Sequence, residues 1–186
     1  MRSSRPKKKG MKVVSRRTIF KGKLIRFELL RIRASGGRTV ERELVRHPGA
    51  VVIIPKDGAG RLILVRQLRV AVGQRLWEFP AGTLEKGESA FRCAQRELWE
   101  ETGFRPGRLR KLLEFFPTPG ISTEKMHLFA AEDLHRKGSG SLDWDEELEV
   151  HSFSPSRVER MIRRGQIVDG KTVLGFLFFQ KYRGRK

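Results

Sequence analysis

The segment 78–104, EFPAGTLEKGESAFRCAQRELWEETGF, constrains the fold more than any other part of the chain. Gly82 and Gly87 give the backbone the freedom that a close approach of another group requires. The apolar spacing that follows, and the residue types at its start, predict a helix over 89–102. Gly103 is a natural C-terminal cap for this helix. We therefore expect a loop, a helix and a second loop.

Three glutamates share one edge of the predicted helix. At about 100° per residue, Glu97, Glu100 and Glu101 fall beside one another. Ionised carboxylates four positions apart, such as Glu97 and Glu101, repel each other, and a divalent cation would reverse the sign of that cost. Carboxylate oxygens suit a hard ion such as Mg²⁺ or Mn²⁺, which also binds phosphate oxygens. The alternative for three glutamates alone is a solvated acidic face.

The spacing across this segment follows a longer pattern. Gly82 is followed after five residues by Glu88, after seven more by Arg-Glu, and then by two further glutamates, a glycine and Phe104. At these residues the sequence resembles the Nudix hydrolase family, and every fixed position of the family signature is met. The resemblance implies an α+β fold, an α/β/α sandwich with a mixed β-sheet between helices. It also implies metal-dependent hydrolysis of a nucleoside diphosphate linked to another moiety.

The resemblance assigns roles position by position. Glu97 and Glu101 become metal ligands, and Glu100 becomes a ligand or a supporting carboxylate. The backbone carbonyl of Ala81 is a further ligand, for Mg²⁺ or Mn²⁺. Arg96 orients the carboxylates, so that Arg96 and Glu100 are counted among the catalytic residues.

Two arginines, Arg66 and Arg69, lie near the end of a predicted strand. Their planar forks suit phosphate oxygens, and ordinary surface arginines are the alternative. The surrounding sequence resembles the subfamily of Nudix enzymes that act on ADP-ribose, as does Pro119, which stands sixteen residues after Gly103. In that subfamily Arg69 would contact phosphate and Glu124 the distal ribose. Arg66, Arg69, Pro119 and Glu124 are therefore the candidate substrate-binding residues.

A polar, glycine-rich stretch over 135–145 leads into further acidic residues. A loop that carries carboxylates is what a reaction needs if a water must be deprotonated. In the resembled subfamily such a loop delivers a glutamate, which makes Glu146 the first candidate for the general base and Glu147 the second. Asp143 and Asp145 stay open, as does a role as ordinary surface acids for all four.

The remaining pattern predicts the surrounding architecture. Alternating β-forming residues around a turn at 35–37 predict an antiparallel hairpin in the N-terminal β region, 13–47. The segment 48–182 is then the Nudix hydrolase domain, and the turn 56–60 is expected to join its first two strands as a second hairpin. Within this domain strands are predicted over 50–55, 61–68, 109–116 and 125–131, and helices over 156–164 and 171–182.

Composition limits the compartment and the partners. Part of the formal charge of +19 is concentrated in two basic tails, 1–12 and 183–186, which we expect to be solvated and to bind nucleic acid only non-specifically. The single cysteine, Cys93, fits a reducing compartment. No apolar run approaches the length of a membrane span, so we expect a cytoplasmic protein with no membrane partner.

With the resemblance, these features predict a pyrophosphatase that cleaves ADP-ribose, a small-molecule nucleotide, into AMP and ribose 5-phosphate. The resemblance also implies a homodimer in which 13–47 packs across the two-fold axis, or is exchanged, and lends residues to the neighbour's pocket. Two alternatives stay open. One is another nucleoside diphosphate derivative as substrate, and the other is a non-catalytic nucleotide- or nucleic-acid-binding protein of the same fold.

Overall fold

A computed structural model describes residues 11–34, 36–138 and 148–182. The chain divides into two compact units, Met1–Pro48 with Thr118–Glu124, and Gly49–Pro117 with Lys125–Lys186. The predicted basic tails lie outside the described residues except at 11–12, and Lys12 is already the first residue of a strand. Among the helices that the structure describes, none is long and apolar enough to cross a lipid bilayer.

The smaller unit contains a three-stranded antiparallel sheet in the order β1, β2, β3. Its strands are β1 Lys12–Lys21, β2 Arg26–Arg33 and β3 Thr39–Arg46. β2 and β3 form the predicted hairpin, whereas β1 is an additional strand on the free edge of β2. The segment 118–124 joins β3, because the Val45 N–H donates to the Ile121 carbonyl at 2.8 Å and the Thr123 N–H donates to the Val45 carbonyl at 3.0 Å.

The larger unit contains two sheets and three helices. The first sheet has the order β7, β4, β9, β8, with β4 and β9 parallel and the outer pairs antiparallel. The second sheet is antiparallel in the order β10, β5, β6. The elements are β4 Ala50–Pro55, β5 Leu62–Arg69, β6 Gln74–Glu78, β7 Ala81–Thr83, α1 Ala90–Thr102, β8 Phe104–Phe115, β9 Met126–Arg136, β10 Glu149–Phe153, α2 Pro155–Arg163 and α3 Gly170–Tyr182.

β4 is the centre of this unit, and all six of its residues are buried. Its side chains alternate between the two faces of the sheet, so each face needs its own apolar cover. Val51 and Ile53 pack with residues of α1, whereas Val52 and Ile54 pack with residues of α2 and α3. The sheet therefore lies between helices on both faces, as the predicted α/β/α sandwich requires.

The second predicted hairpin is wrong. β4 and β5 follow one another through the turn 56–60 but belong to different sheets, and a single bridge, Lys56 to Leu62, is the antiparallel pairing between them. The turn itself is well formed, because the Asp57 carboxylate accepts from the N–H groups of Ala59 and Arg61 at 3.0 and 2.8 Å. β4 and β5 do not form a hairpin because β4 pairs with β7 and β9 instead.

Candidate metal centre

The helix α1 ends at its predicted cap, Gly103, and Ser89, which was predicted as its first residue, is its N-cap. The Ser89 hydroxyl accepts from the Arg92 N–H at 3.3 Å, and Gly103 takes a left-handed φ of 73° while its N–H donates to the Trp99 carbonyl at 2.8 Å. Burial of the apolar face fixes the rotation of the helix about its axis. The buried residues of α1 are Cys93, Ala94, Leu98 and Glu101.

Arg96 lies at the centre of the acidic edge of α1. Its Nη1 donates to Glu97 Oε1 at 2.8 Å and to Glu100 Oε2 at 2.9 Å. Its Nε and Nη2 donate to the two oxygens of Glu88 at 3.0 and 2.9 Å, and Nη2 also donates to the Thr83 carbonyl at 3.2 Å. One planar guanidinium therefore offsets the repulsion among three carboxylates and ties the helix to the segment that precedes it.

These contacts settle the protonation of the groups around Arg96. Hydrogen bonds from Arg96 lower the pKa of Glu88 to about 2, and the bonds to Glu88 in turn raise the pKa of Arg96 above its ordinary value. Burial raises the pKa of the neighbouring Cys93 thiol, with Glu97 as the next contributor. At neutral pH Glu88 is therefore ionised, Arg96 carries its positive charge, and the Cys93 thiol is neutral and packed rather than nucleophilic.

Two carboxylates of α1 meet the backbone of β7. Glu101 is 6% exposed, and its Oε2 accepts from the Ala81 N–H at 3.3 Å. The Glu97 carboxylate occupies the space beside Gly82, where an added Cβ would stand 1.8 Å from Glu97 Cδ. The predicted close approach at Gly82 is therefore made by a carboxylate, and any larger residue would collide with it.

The side chains at this edge of α1 carry the type of donor atom that a hard divalent cation prefers. Across the described residues, no three acidic, histidine or cysteine side chains stand close enough together to hold a metal ion as they are. One nitrogen of Arg96 holds both Glu97 and Glu100. Even so, Glu97 and Glu101 bring carboxylate oxygens to adjacent residues of β7, and oxygen donors are what Mg²⁺ and Mn²⁺ prefer.

A second ionic cluster, not predicted from the sequence, surrounds the buried carboxylate of Glu78. Arg69 Nε and Nη2 each donate to one of its oxygens at 2.7 Å, and Lys171 Nζ also donates to it. Asp169 holds Lys171 at 2.8 Å and accepts from the Thr172 hydroxyl at 2.6 Å. Burial opposes ionisation of Glu78, but the two cations outweigh it and leave its pKa below the ordinary value.

This cluster lies within electrostatic reach of the acidic edge of α1. Hydrogen bonding to Glu78 is the main cause of the raised pKa of Arg69, and the charge of Glu101 adds to it although burial opposes it. Two of the three guanidinium nitrogens of Arg69 are engaged with Glu78. The N–H groups of Nη1 and the second N–H of Nη2 are not used in these two bonds to Glu78.

The two arginines predicted as substrate contacts, Arg66 and Arg69, lie in different surroundings. They stand three positions apart on β5, and alternation places Arg66 and Arg69 on opposite faces. The Arg66 guanidinium lies 5.5 Å from the centre of the Trp77 ring, and its Nη1 is 3.8 Å from Glu149 Oε2. A contact of either arginine with the substrate stays a prediction.

The remaining predicted site residues lie elsewhere in the chain. Pro119 and Glu124 belong to the smaller unit, where Glu124 Oε1 is 3.9 Å from His47 Nδ1. The candidates for the general base lie outside the described residues, and these are Glu146, Glu147, Asp143 and Asp145.

An acidic helix edge that meets a glycine-bearing strand, on an α/β/α sandwich, matches a known family. The NUDIX domain matches residues 45–173, and the chain belongs to this family. An ADP-ribose pyrophosphatase of Bacillus subtilis is 34% identical over 170 residues, which are 91% of this chain and 92% of that protein. A GDP-mannose pyrophosphatase of Salmonella typhimurium is 38% identical over an alignment of 154 residues, and the match covers 74% of this chain and 80% of that protein.

The fold also matches a solved structure. A crystal structure of an ADP compounds hydrolase superposes with a TM-score of 0.80 and covers 95% of this chain and 97% of that chain, at 24% sequence identity. Similarity at this level of identity bears on the fold alone. The predicted mixed-sheet sandwich is therefore confirmed.

Proposed function

We propose that this protein hydrolyses the diphosphate of ADP-ribose and releases AMP and ribose 5-phosphate. A water oxygen forms a bond to one phosphorus, and the bond from that phosphorus to the bridging oxygen breaks, so that the two phosphates separate. The observation that carries this proposal is the pair of carboxylates, Glu97 and Glu101, that α1 holds against β7. The names of the relatives point to the same class of nucleoside diphosphate sugars.

The carboxylate edge is where a divalent metal would be held. Glu97, Glu101 and the Ala81 carbonyl are the proposed ligands, with Glu100 as a further ligand or a supporting carboxylate. Bound Mg²⁺ or Mn²⁺ would neutralise phosphate charge and lower the pKa of a water. Arg96 orients Glu97 and Glu100, since one of its nitrogens donates to both.

The substrate contacts and the general base extend this proposal beyond the metal centre. Arg69 is the proposed contact to a phosphate, through the N–H groups of Nη1, which its bonds to Glu78 do not use. We retain Glu124 as the proposed contact to the distal ribose and Pro119 as part of the same loop. Glu146 is proposed as the base that takes the proton of the water, with Glu147 as the alternative.

A panel of nucleotide sugars tests the proposed function. With Mg²⁺ or Mn²⁺, we expect ADP-ribose to be cleaved with a kcat/KM at least about tenfold above that for GDP-mannose, since hydrogen bonds to a base edge discriminate by this much or more. The two products are separated by chromatography and identified as AMP and ribose 5-phosphate. Faster cleavage of GDP-mannose would show that ADP-ribose is not the preferred substrate. If no nucleoside diphosphate derivative were cleaved, a non-catalytic binding protein would be favoured instead.

We also propose that the protein is a cytoplasmic homodimer. A second copy of the chain would cover β1, all ten residues of which are exposed, including the apolar Val13, Val14, Ile19 and Phe20. The single cysteine is in keeping with a reducing compartment. Light scattering at micromolar concentration should give twice the mass of the chain, and a monomer mass would contradict the dimer.

A further inference from the structure

Nine lysines and arginines lie on β1, β2 and β3 of the smaller unit, against three glutamates. Side chains alternate between the two faces of an antiparallel sheet, and the register of the strands sorts these charges. Five of the cations and one glutamate share one face, which we call the basic face: Arg16, Lys21, Arg26, Glu28, Arg42 and Arg46. Glu41 and Glu43 lie on the opposite face, where Glu41 stands directly across from Arg31. The basic face therefore has the larger excess of positive charge.

Glu28 is the buried carboxylate of the basic face. It is 2% exposed, and its Oε2 accepts from Arg46 Nε at 2.9 Å and lies 3.3 Å from Arg16 Nε. The hydrogen bond from Arg46 lowers the pKa of Glu28, and the charges of Arg16 and Arg26 act in the same direction although burial opposes them. Because both guanidinium groups meet Glu28 through Nε, these contacts do not use their Nη1 and Nη2 groups. One carboxylate thus holds an arginine from β1 and an arginine from β3 over β2.

The chemistry of the basic face favours a polymer of phosphates. Four of its five cations are arginines, whose planar N–H groups bind phosphate oxygens in pairs. Arg42 and Arg46 stand four residues apart on β3, about 13 Å by the rise of a strand, so the face extends beyond the length of one diphosphate. A lipid surface would require exposed apolar side chains. On β2 and β3, the apolar residues of this face are buried or half-buried, and these are Leu30, Ile32, Val40 and Leu44.

We propose that the basic face binds the phosphate backbone of nucleic acid. Contacts to phosphate carry no sequence information, so the binding is independent of base sequence and sensitive to salt. The formal charge of +19 adds a long-range attraction for the same partner. Binding at this face does not depend on the proposed hydrolysis, and it assigns to a folded surface what the basic tails alone were expected to do.

The test is Arg26→Gln combined with Arg42→Gln in the full chain, measured by the fluorescence anisotropy of a labelled DNA duplex over a series of salt concentrations. Both arginines are exposed, and their exchange leaves β1, the strand proposed to meet a second copy, unchanged. The slope of log K against log salt should become shallower by about 1 for each arginine, and affinity at about 0.1 M salt should fall by about tenfold or more. The matched control is Arg31→Gln with Arg33→Gln, which removes the same charge from the opposite face and should keep the wild-type slope.

Four results would overturn the proposal. Equal losses in the control would show that binding follows net charge alone, and a wild-type slope in the Arg26 and Arg42 variant would assign the binding to the tails, 1–12 and 183–186. Displacement of the duplex by ADP-ribose near its KM would assign the arginines to the substrate instead. Arg26→Lys with Arg42→Lys keeps both charges and should retain the wild-type slope, whereas a slope as shallow as that of the glutamine pair would show that altered packing caused the loss.

Discussion

Glu101→Gln is expected to reduce hydrolysis of ADP-ribose by at least about a hundredfold, because a lost ligand removes both charge neutralisation and activation of the water. The glutamine keeps the size of the side chain and an oxygen that can accept from the Ala81 N–H, as Glu101 Oε2 does at 3.3 Å. What it removes is the negative charge of a side chain that is 6% exposed. We therefore expect the fold to persist while the chemistry is lost.

Melting temperatures with and without metal separate a metal site from an ordinary acidic face. Without metal, Glu101→Gln should be at least as stable as wild type, since one of two repelling carboxylates at positions i and i+4 is neutral. With saturating Mg²⁺ or Mn²⁺, wild type should gain RT ln(1 + [L]/Kd) in stability and the variant should lose most of that gain. Removal of the metal with a chelator should abolish the gain in melting temperature that the metal gives to wild type.

The matched control is Glu159→Gln on α2. Glu159 is half exposed, lies on a different helix and pairs with Arg163 at 3.5 Å in the same i, i+4 spacing. We expect it to change stability by a few tenths of a kcal/mol and to leave turnover unchanged. Equal losses in both variants would show that the charge pattern of α1 carries no special role, and wild-type turnover by Glu101→Gln would refute the metal assignment.

Local signals predicted α1 well. The helix was expected over 89–102 and spans Ala90–Thr102, because the capping residues, Ser89 and Gly103, act through contacts within one turn of the chain. The α/β/α sandwich was also predicted, from the resemblance carried by the segment around α1. These features depend on residues that are close in sequence, and pattern reasoning captures such residues best.

Long-range pairing is what the sequence did not reveal. A well-formed turn joins β4 to β5, yet β4 pairs in parallel with β9, whose strand begins only at Met126, and this pairing separates the expected hairpin into two sheets. Likewise, Lys171 reaches Glu78 across 93 positions of sequence. No spacing rule links two such residues, because the fold alone brings them together. The ion pair between Arg69 and Glu78 also depends on the pairing of β5 with β6, and it was not predicted from the sequence.

Gly82 was predicted only in part from the sequence. The sequence predicted that a glycine was needed here for a close approach, and the structure identifies the approaching group as the carboxylate of Glu97. Gly82→Ala should therefore lower turnover by about a hundredfold, the order of loss that follows from displacing a catalytic group by about 1 Å. Stability should change little, because Gly82 does not take a left-handed φ and the displaced atoms are the end of a flexible side chain.

A double-mutant cycle isolates the cause of that loss. If the added methyl group acts by moving Glu97, then Gly82→Ala in a Glu97→Gln background should cost almost nothing further, whereas independent effects would multiply. Gly58→Ala is the control, because its added Cβ would meet no atom within 4 Å and its φ is also not left-handed. Turnover and melting temperature are measured for all four members of the cycle. A Gly82→Ala enzyme with wild-type turnover would mean that the Glu97 carboxylate can leave β7 without harm, which would remove Glu97 from the metal centre.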